Sequence, residues 1–137
     1  MHDSESMDHK NVPPSLLELV LRVQGDLRGA FAPVGVTPLQ AGLLCYLCQH
    51  PDARLVDAAA ALRVKAPTLM EVVQDLVRKR WMTNRRSTED RRSVCLRLSP
   101  KGESIARKVS LLVRHVEKTL SEQDRGVLGM TTGDRRT

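Results

Sequence analysis

The spacing of the apolar residues changes after Trp81 and again after Ser99, and these changes restrict the folds that the chain can adopt. Before Trp81 the apolar residues recur at every third or fourth position, which predicts amphipathic helices. Between Met82 and Leu98 they alternate with polar residues, which predicts a half-buried β-hairpin with a polar loop at about 86–92. A helical period returns after Ser99. The sequence therefore predicts a mostly α fold with a two-stranded element before the last long helix.

Two helix starts are marked by capping boxes, in which a hydroxyl residue and a Glu or Gln three positions later satisfy each other's backbone N–H groups. The first box is Ser15 with Glu18, and the second is Thr37 with Gln40, followed by a proline at the first helical position, Pro38. Both predict helices that begin sharply.

Two shorter helices are expected before the hairpin, one at about 55–62 and one that opens at Pro67 and Thr68. Ser99 and Pro100 then cap the long helix. This order of elements is typical of a winged helix-turn-helix, with helices added at both ends. The expected domains are a flexible tail at 1–12, an N-terminal dimerisation helix at 13–36, a winged-helix DNA-binding lobe at 37–101 and C-terminal dimerisation helices at 102–137.

The last helix carries a long apolar seam with nearly the spacing of a coiled coil. Its length, and that of the apolar stripe on the first helix, exceed what one small core needs, so we expect a homodimer. The alternative is that the seam packs on the chain's own core. The seam consists of Ile105, Val109, Leu112, Val116 and Leu120.

The net charge of +6 is concentrated in the stretch Arg78–Arg97, which holds eight basic residues against Glu89 and Asp90. Seven of the eight are arginines, whose planar guanidinium suits phosphates and guanine edges. A local excess of positive charge on a predicted hairpin favours double-stranded DNA as the partner over a merely solvated surface.

Several classes of protein are disfavoured by the sequence. The acidic start and the lack of a long apolar run predict neither a secreted nor a membrane protein, and three cysteines in no disulfide spacing favour the cytoplasm. No nucleophile–histidine pattern, phosphate-binding glycine loop or carboxylate pair is present, so we expect no enzyme activity, cofactor or metal.

The cysteines leave one alternative open. Cys45 and Cys48 have CxxC spacing, but they lie inside an apolar helix rather than at a helix start, which favours buried side chains over a redox pair. His50 at the end of that helix is expected to be a cap. Cys95 is expected to be exposed on the hairpin, where oxidation would disturb DNA binding. Its neighbour Arg97 is the only residue that favours a reactive thiol there, so Cys95 is expected to be incidental.

The chain resembles the MarR family of bacterial transcriptional regulators from about Thr37 to Gly102. The resemblance rests on TPLQ, APTLMEVVQDLVRKRWM, the DRR of the wing and the closing LRLSPKG. It implies an obligate homodimer whose recognition helices enter major grooves and whose wings reach minor grooves. It also implies a repressor that is released by a small aromatic or phenolic ligand, or by cysteine oxidation.

The expected DNA-binding residues form three groups. Arginines at the wing tip suit a narrow minor groove, those at the wing base suit phosphates, and the start of the recognition helix offers free N–H groups. The resemblance implies that Asp90 braces the wing. The DNA-binding set is Lys65, Pro67, Thr68, Glu71, Arg85, Arg86, Arg91 and Arg92.

Four residues depart from what the resemblance implies. Glu71 puts an acid on the open face of the recognition helix, and Asp75 is expected one turn later on the same face. Either Glu71 meets a cytosine, or the helix reads little sequence and the wing supplies most affinity. Arg63 and Arg80 stand where glycines are common, at positions that favour positive φ. The acidic helix also favours an alternative function, a winged-helix module that binds a protein, and a cysteine-based redox or metal sensor is a third hypothesis.

Overall fold

The order of elements is the one that the sequence predicts. The computed structural model describes residues 15–87, 89 and 93–120. Within these ranges the chain is mostly helical and forms a winged helix-turn-helix with one antiparallel hairpin. The expected tail at 1–12 and any helix after 120 lie outside the described residues. The elements are α1 (Leu16–Phe31), α2 (Pro38–Gln49), α3 (Leu55–Leu62), α4 (Ala66–Arg78), β1 (Met82–Arg86), β2 (Val94–Leu98) and α5 (Pro100–Thr119).

Both capping boxes are present. The Ser15 hydroxyl accepts from the N–H of Glu18 at 3.1 Å, and the Glu18 carboxylate accepts from the N–H of Ser15 at 2.9 Å. Thr37 and Gln40 repeat the arrangement at 3.1 and 3.0 Å. Each cap stabilises its helix by about 1 kcal/mol, because it satisfies N–H groups that have no partner inside the helix.

The core lies between α2, α4, the hairpin and the first half of α5. One face of α4 is buried through Leu69, Val73 and Leu76, as its periodicity predicts. Leu43 and Leu44 of α2 are fully buried against this group. The opposite face of α4 remains outside the core, which makes it available for a partner.

The hairpin pairs Met82 with Leu98 at its base and Arg86 with Val94 near its loop. A further strand-like contact was not predicted from the sequence: Arg54 forms a bridge with Cys95, and the N–H of Leu96 donates to the carbonyl of Ala53 at 2.9 Å. This contact covers one edge of β2. Cys95 is therefore half-buried, and the expectation that it is exposed is wrong.

A close backbone contact joins the hairpin to α5. A Cβ on Gly102 would overlap the carbonyl oxygen of Trp81, so only glycine fits at this position. The N–H of Ser99 donates to the same Trp81 carbonyl at 3.0 Å, and the Ser99 hydroxyl donates to the carbonyl of Arg80 at 2.8 Å. The end of the LSPKG motif thus fixes where α5 leaves the hairpin.

The seam of α5 packs within the chain. Val109 is fully buried, Val116 and Leu120 are buried, and Ile105 and Leu112 pack against the core. The chain itself covers these side chains, so they are not free to contact a second copy. This agrees with the alternative in the sequence analysis, that the seam packs on the chain's own core. The large apolar side chains that remain exposed lie mainly on α1.

Candidate nucleic-acid interface

The start of α4 is open to solvent. Lys65 is the N-cap residue and makes no side-chain cap bond, and Pro67 lies in the first turn. Lys65, Pro67 and Thr68 are all exposed, as the sequence predicts for contact residues. An uncapped helix start next to a lysine offers N–H groups and positive potential, which is a suitable environment for a phosphate.

The two acidic residues of α4 have different surroundings. Glu71 is exposed on the outer face. Asp75 accepts from the side-chain amide of Gln40 at 2.7 Å and from Arg78 at 3.3 Å, and Lys79 lies 3.6 Å from it. The expectation that Asp75 shares the open face with Glu71 is therefore wrong. Its carboxylate is directed towards α2 and is partly neutralised, so Glu71 is the acid that an approaching phosphate would meet.

The base of the wing lies beside α4. A groove of about 230 Å³ is lined by Met70 of α4 and by Asn84, Arg85, Arg86 and Val94 of the hairpin. Both arginines are exposed. The recognition helix and the wing base are predicted as two separate groups of DNA-binding residues, and the groove joins them into one continuous surface. Asp90, Arg91 and Arg92 lie outside the described residues.

The root of the hairpin is braced by an ion pair that the sequence analysis missed. Arg97 donates to both carboxylate oxygens of Asp52, at 2.8 and 2.7 Å. These hydrogen bonds are the largest cause of the lowered pKa of Asp52, with the charges of Arg97 and Arg85 as further causes. Asp52 has φ 61°, a left-handed conformation that aspartate tolerates better than most residues. The pair fixes the hairpin to the loop after α2.

Two arginines occupy the left-handed positions that the sequence analysis predicted. Arg63, in the turn between α3 and α4, has φ 60°, and Arg80, between α4 and β1, has φ 65°. Both side chains are exposed, and that of Arg63 donates to the carbonyl of Ala60 at 3.0 Å. A residue with a Cβ is disfavoured by about 1–2 kcal/mol in this conformation. The two positions thus add cations near α4 at a cost in stability.

An open, mostly apolar cavity of about 440 Å³ lies between α1, α2 and α5. Cys45 is on its wall, with its sulfur 3.6 Å from the Ser110 hydroxyl. This cavity could not be predicted from the sequence, because its lining comes from three helices that are distant along the chain. The lining residues are Leu27, Phe31, Pro38, Ala41, Gly42, Cys45, Val109, Ser110, Val113, Arg114 and Glu117.

The expectation that Cys45 and Cys48 are buried is wrong, because Cys45 is half-buried and Cys48, near the end of α2, is exposed. The surroundings of Cys48 are nevertheless not those of an activated thiol. Desolvation by the surrounding protein raises the pKa of Cys48, and Cys45 and Glu103 raise it further against the opposing effect of Arg107. A raised pKa decreases the thiolate fraction and hence the reactivity. Within the described residues, no three His, Cys, Asp or Glu side chains come together as metal ligands would. His50 is the C-cap of α2, and its ring stacks on Tyr46.

Of the helices that the structure describes, none combines the length and the apolar character that crossing a membrane requires.

Known proteins resemble this chain in part of its sequence and in its fold. The model of the MarR family matches residues 34–93. None of the curated protein sequences is significantly similar to the chain.

Solved structures match over nearly the whole chain. One match is the transcriptional repressor CouR, bound to a 23-mer DNA duplex. It is 28% identical with a TM-score of 0.73, and the match covers 88% of this chain and 89% of CouR. A cysteine-to-serine mutant of MarR from E. coli, complexed with operator DNA, is 20% identical with a TM-score of 0.71, covering 89% of this chain and 91% of that one.

A third match is Bordetella bronchiseptica BpsR, whose DNA binding is regulated by 6-hydroxynicotinic acid. It is 18% identical with a TM-score of 0.74, covering 89% of this chain and 96% of BpsR. The family match spans α2 to the wing, and the structural matches extend the likeness to α1 and α5. The chain is therefore similar to the MarR family over residues 34–93, and it shares the winged-helix fold of the solved structures.

Proposed function

We propose that this protein is a homodimeric, non-catalytic transcriptional regulator that binds double-stranded DNA and acts as a repressor. The observation that carries the proposal is the groove in which Met70 of α4 meets Arg85 and Arg86 of the wing base. A helix with an open start beside a cationic hairpin is the combination by which winged-helix proteins contact base edges and phosphates.

In this arrangement α4 enters the major groove and the wing tip enters the adjacent minor groove. Lys65, Pro67 and Thr68 contact the backbone at the start of α4, and Glu71 faces the base edges. At the tip, outside the described residues, Arg91 and Arg92 supply the minor-groove cations and Asp90 braces the loop. The DNA-bound structures of CouR and of the MarR mutant, which share the fold, support this arrangement.

The dimer is supported by the apolar surface of α1. Leu16, Leu17 and Leu21 are 60%, 68% and 57% exposed, and Leu111 of α5 is 62% exposed. Exposed leucines in this number are a surface that a soluble chain normally covers with a partner. A second copy packed on α1 would present two α4 helices to one DNA duplex, as a palindromic operator requires.

The effector is proposed to be a small aromatic or phenolic molecule, held in the cavity between α1, α2 and α5. Its apolar wall suits a ring, and Arg114 supplies a cation for a carboxylate or phenolate. The likeness to BpsR, which responds to a hydroxylated aromatic acid, supports this class of ligand.

The DNA proposal is tested by fluorescence anisotropy, with the duplex upstream of the protein's own gene and a random duplex of equal length. We expect tighter binding to the upstream duplex, and an affinity that falls steeply with salt because several phosphates are neutralised. Arg92→Ala should severely weaken binding while sedimentation still shows a dimer. Normal binding by this variant would remove the wing from the proposal.

The exposed Glu71 supports a second candidate, a winged-helix module that binds a protein through its basic wing. The same titration separates the two, since failure to bind either duplex at low salt would favour the protein-binding module. The cysteine-based sensor predicts that peroxide or zinc changes the DNA affinity and that serine variants of Cys45, Cys48 or Cys95 do not respond.

A further inference from the structure

Gln40 lies where the wall of the apolar cavity meets the back of α4. It is the third residue of α2, and its neighbours Pro38, Ala41 and Gly42 line the cavity. Its side-chain oxygen accepts from the N–H of Thr37 at 3.0 Å, while its side-chain nitrogen donates to Asp75 at 2.7 Å. One amide group therefore closes the cap of α2 and holds α4 at the same time.

A second contact joins the same two regions. Lys79, directly after α4, donates to the carbonyl of Gly35 at 3.3 Å, in the turn that leads to the Thr37 cap. The same ammonium group lies 3.6 Å from Asp75 and 4.9 Å from the centre of the Trp81 ring. The C-terminal half of α4 is thus connected to the start of α2 through Gln40, Asp75 and Lys79.

We propose that Gln40 is a positioning residue that transmits filling of the cavity to the recognition helix. The proposal rests on the function proposed above for α4 and for the cavity. A molecule in the cavity presses on Pro38 and Ala41, which belong to the same helical turn as Gln40. Because a helix moves nearly as a rigid body and a charge-assisted hydrogen bond tolerates little stretching, Asp75 and α4 follow.

The test reverses donor and acceptor in the hydrogen bond between the side chains at positions 40 and 75. In Q40E the new carboxylate still accepts from the N–H of Thr37, so the cap remains, but it faces the carboxylate of Asp75 and the link is lost. In the double variant Q40E/D75N the asparagine amide donates to Glu at position 40, which restores the link in the opposite direction. Gln49→Glu, an exposed glutamine at the end of α2, is the control for the change of charge.

Filling of the cavity is imposed by substitution, so that no ligand has to be known. Ser110→Phe places a ring in the cavity from α5, and Ser104→Phe, at an exposed position of α5, is its control. If thermal unfolding shows that Ser110→Phe is not folded, Cys45→Phe fills the same cavity from α2. The readout is hydrogen–deuterium exchange of the amides at 66–79 in the protein without DNA.

Q40E should speed exchange at 66–79 about tenfold, the effect of losing one charge-assisted hydrogen bond, and the double variant should recover. Ser110→Phe should change exchange at 66–79 in the wild-type and double-variant backgrounds but not in Q40E. An unchanged rate in Q40E, a double variant no better than Q40E, or no effect of cavity filling in the wild type would each overturn the proposal. Operator affinity is measured in a separate experiment. Failure to bind the operator would contradict the proposed function, but the exchange rates would still show whether Gln40 connects the cavity to α4.

Discussion

The recognition helix and the wing differ in how they are held and in what they present. Helix α4 is fixed from behind, by its buried face and by Asp75, and its exposed face mixes Thr68 with Glu71. The hairpin is fixed at its root, by the ion pair of Arg97 with Asp52 and by the bridge of Cys95 with Arg54, and it presents exposed arginines. The difference indicates that orientation and electrostatic attraction are supplied by separate elements, one rigid and nearly neutral and one cationic.

The largest expected effect comes from breaking the contact that joins the hairpin to α5. Gly102→Ala should lower the free energy of unfolding by about 3 kcal/mol or more, because its Cβ would overlap the Trp81 carbonyl and backbone gives way less easily than a side chain. Urea unfolding measures this. Gly29→Ala is the control, since its Cβ would meet nothing within 4 Å, and it should stabilise α1 by about 0.5–1 kcal/mol. Equal stabilities for the two variants would contradict the account of this contact.

The division of roles is tested by removing charge from each element in turn. Replacing Arg85 and Arg86 together by Ala should weaken binding to all duplexes by about 10–100-fold and reduce the salt dependence. Glu71→Gln should instead change the preference among operator variants and leave the salt dependence nearly unaltered. Anisotropy titrations at several salt concentrations measure both. A uniform loss caused by Glu71→Gln, or a change of preference caused by the arginine pair, would reverse the assignment.

A smaller effect concerns the turn between α3 and α4. Arg63→Gly should be more stable than Arg63→Ala by about 1 kcal/mol, because only glycine relieves the left-handed conformation while both variants remove the same charge. Thermal unfolding gives the comparison. If the side chain of Arg63 also contacts a phosphate, both variants lose DNA affinity equally, which separates the charge from the backbone effect.

The smallest effect is the pH dependence of the ion pair at the wing root. Asp52→Asn keeps a residue that tolerates the left-handed conformation but removes the carboxylate. Since Arg97 lowers the pKa of Asp52 in the folded state, the pair stabilises the protein fully above the ordinary aspartate pKa of about 3.9, and the effect disappears as the pH falls through the lowered value.

The difference in Tm between wild type and Asp52→Asn should therefore shrink towards zero in the acid range. Asp57→Asn, at another exposed ion pair, controls for the change in net charge. A difference that persists unchanged into acid would show that the carboxylate is not the cause.

Features encoded within a few neighbouring residues could be predicted from the sequence. The capping boxes of Ser15 and Thr37, the bounds of α3 and the left-handed turns at Arg63 and Arg80 depend on local hydrogen bonds and sterics, and the structure confirms them.

Features that depend on distant residues could not be predicted in the same way. Gln40 and Asp75 are 35 positions apart, and Arg97 and Asp52 are 45 apart, so neither pair produces a periodic pattern. The periodicity of α4 placed Asp75 on the wet face, but a long-range hydrogen bond draws it towards α2. For the same reason the cavity, with walls from three helices, leaves no trace in the sequence.

The side chain of Asp75 is directed towards α2 rather than towards the exposed face of α4, and this affects how the specificity of the protein can be altered. Because the contacts that hold α4 are made by its buried and rear residues, the exposed Thr68, Glu71 and Gln74 can be exchanged without loosening the helix. A library randomised at these three positions should consist mainly of folded proteins that differ in the duplex they select. The same property would let duplicated copies of the gene diverge in their operators while keeping one scaffold.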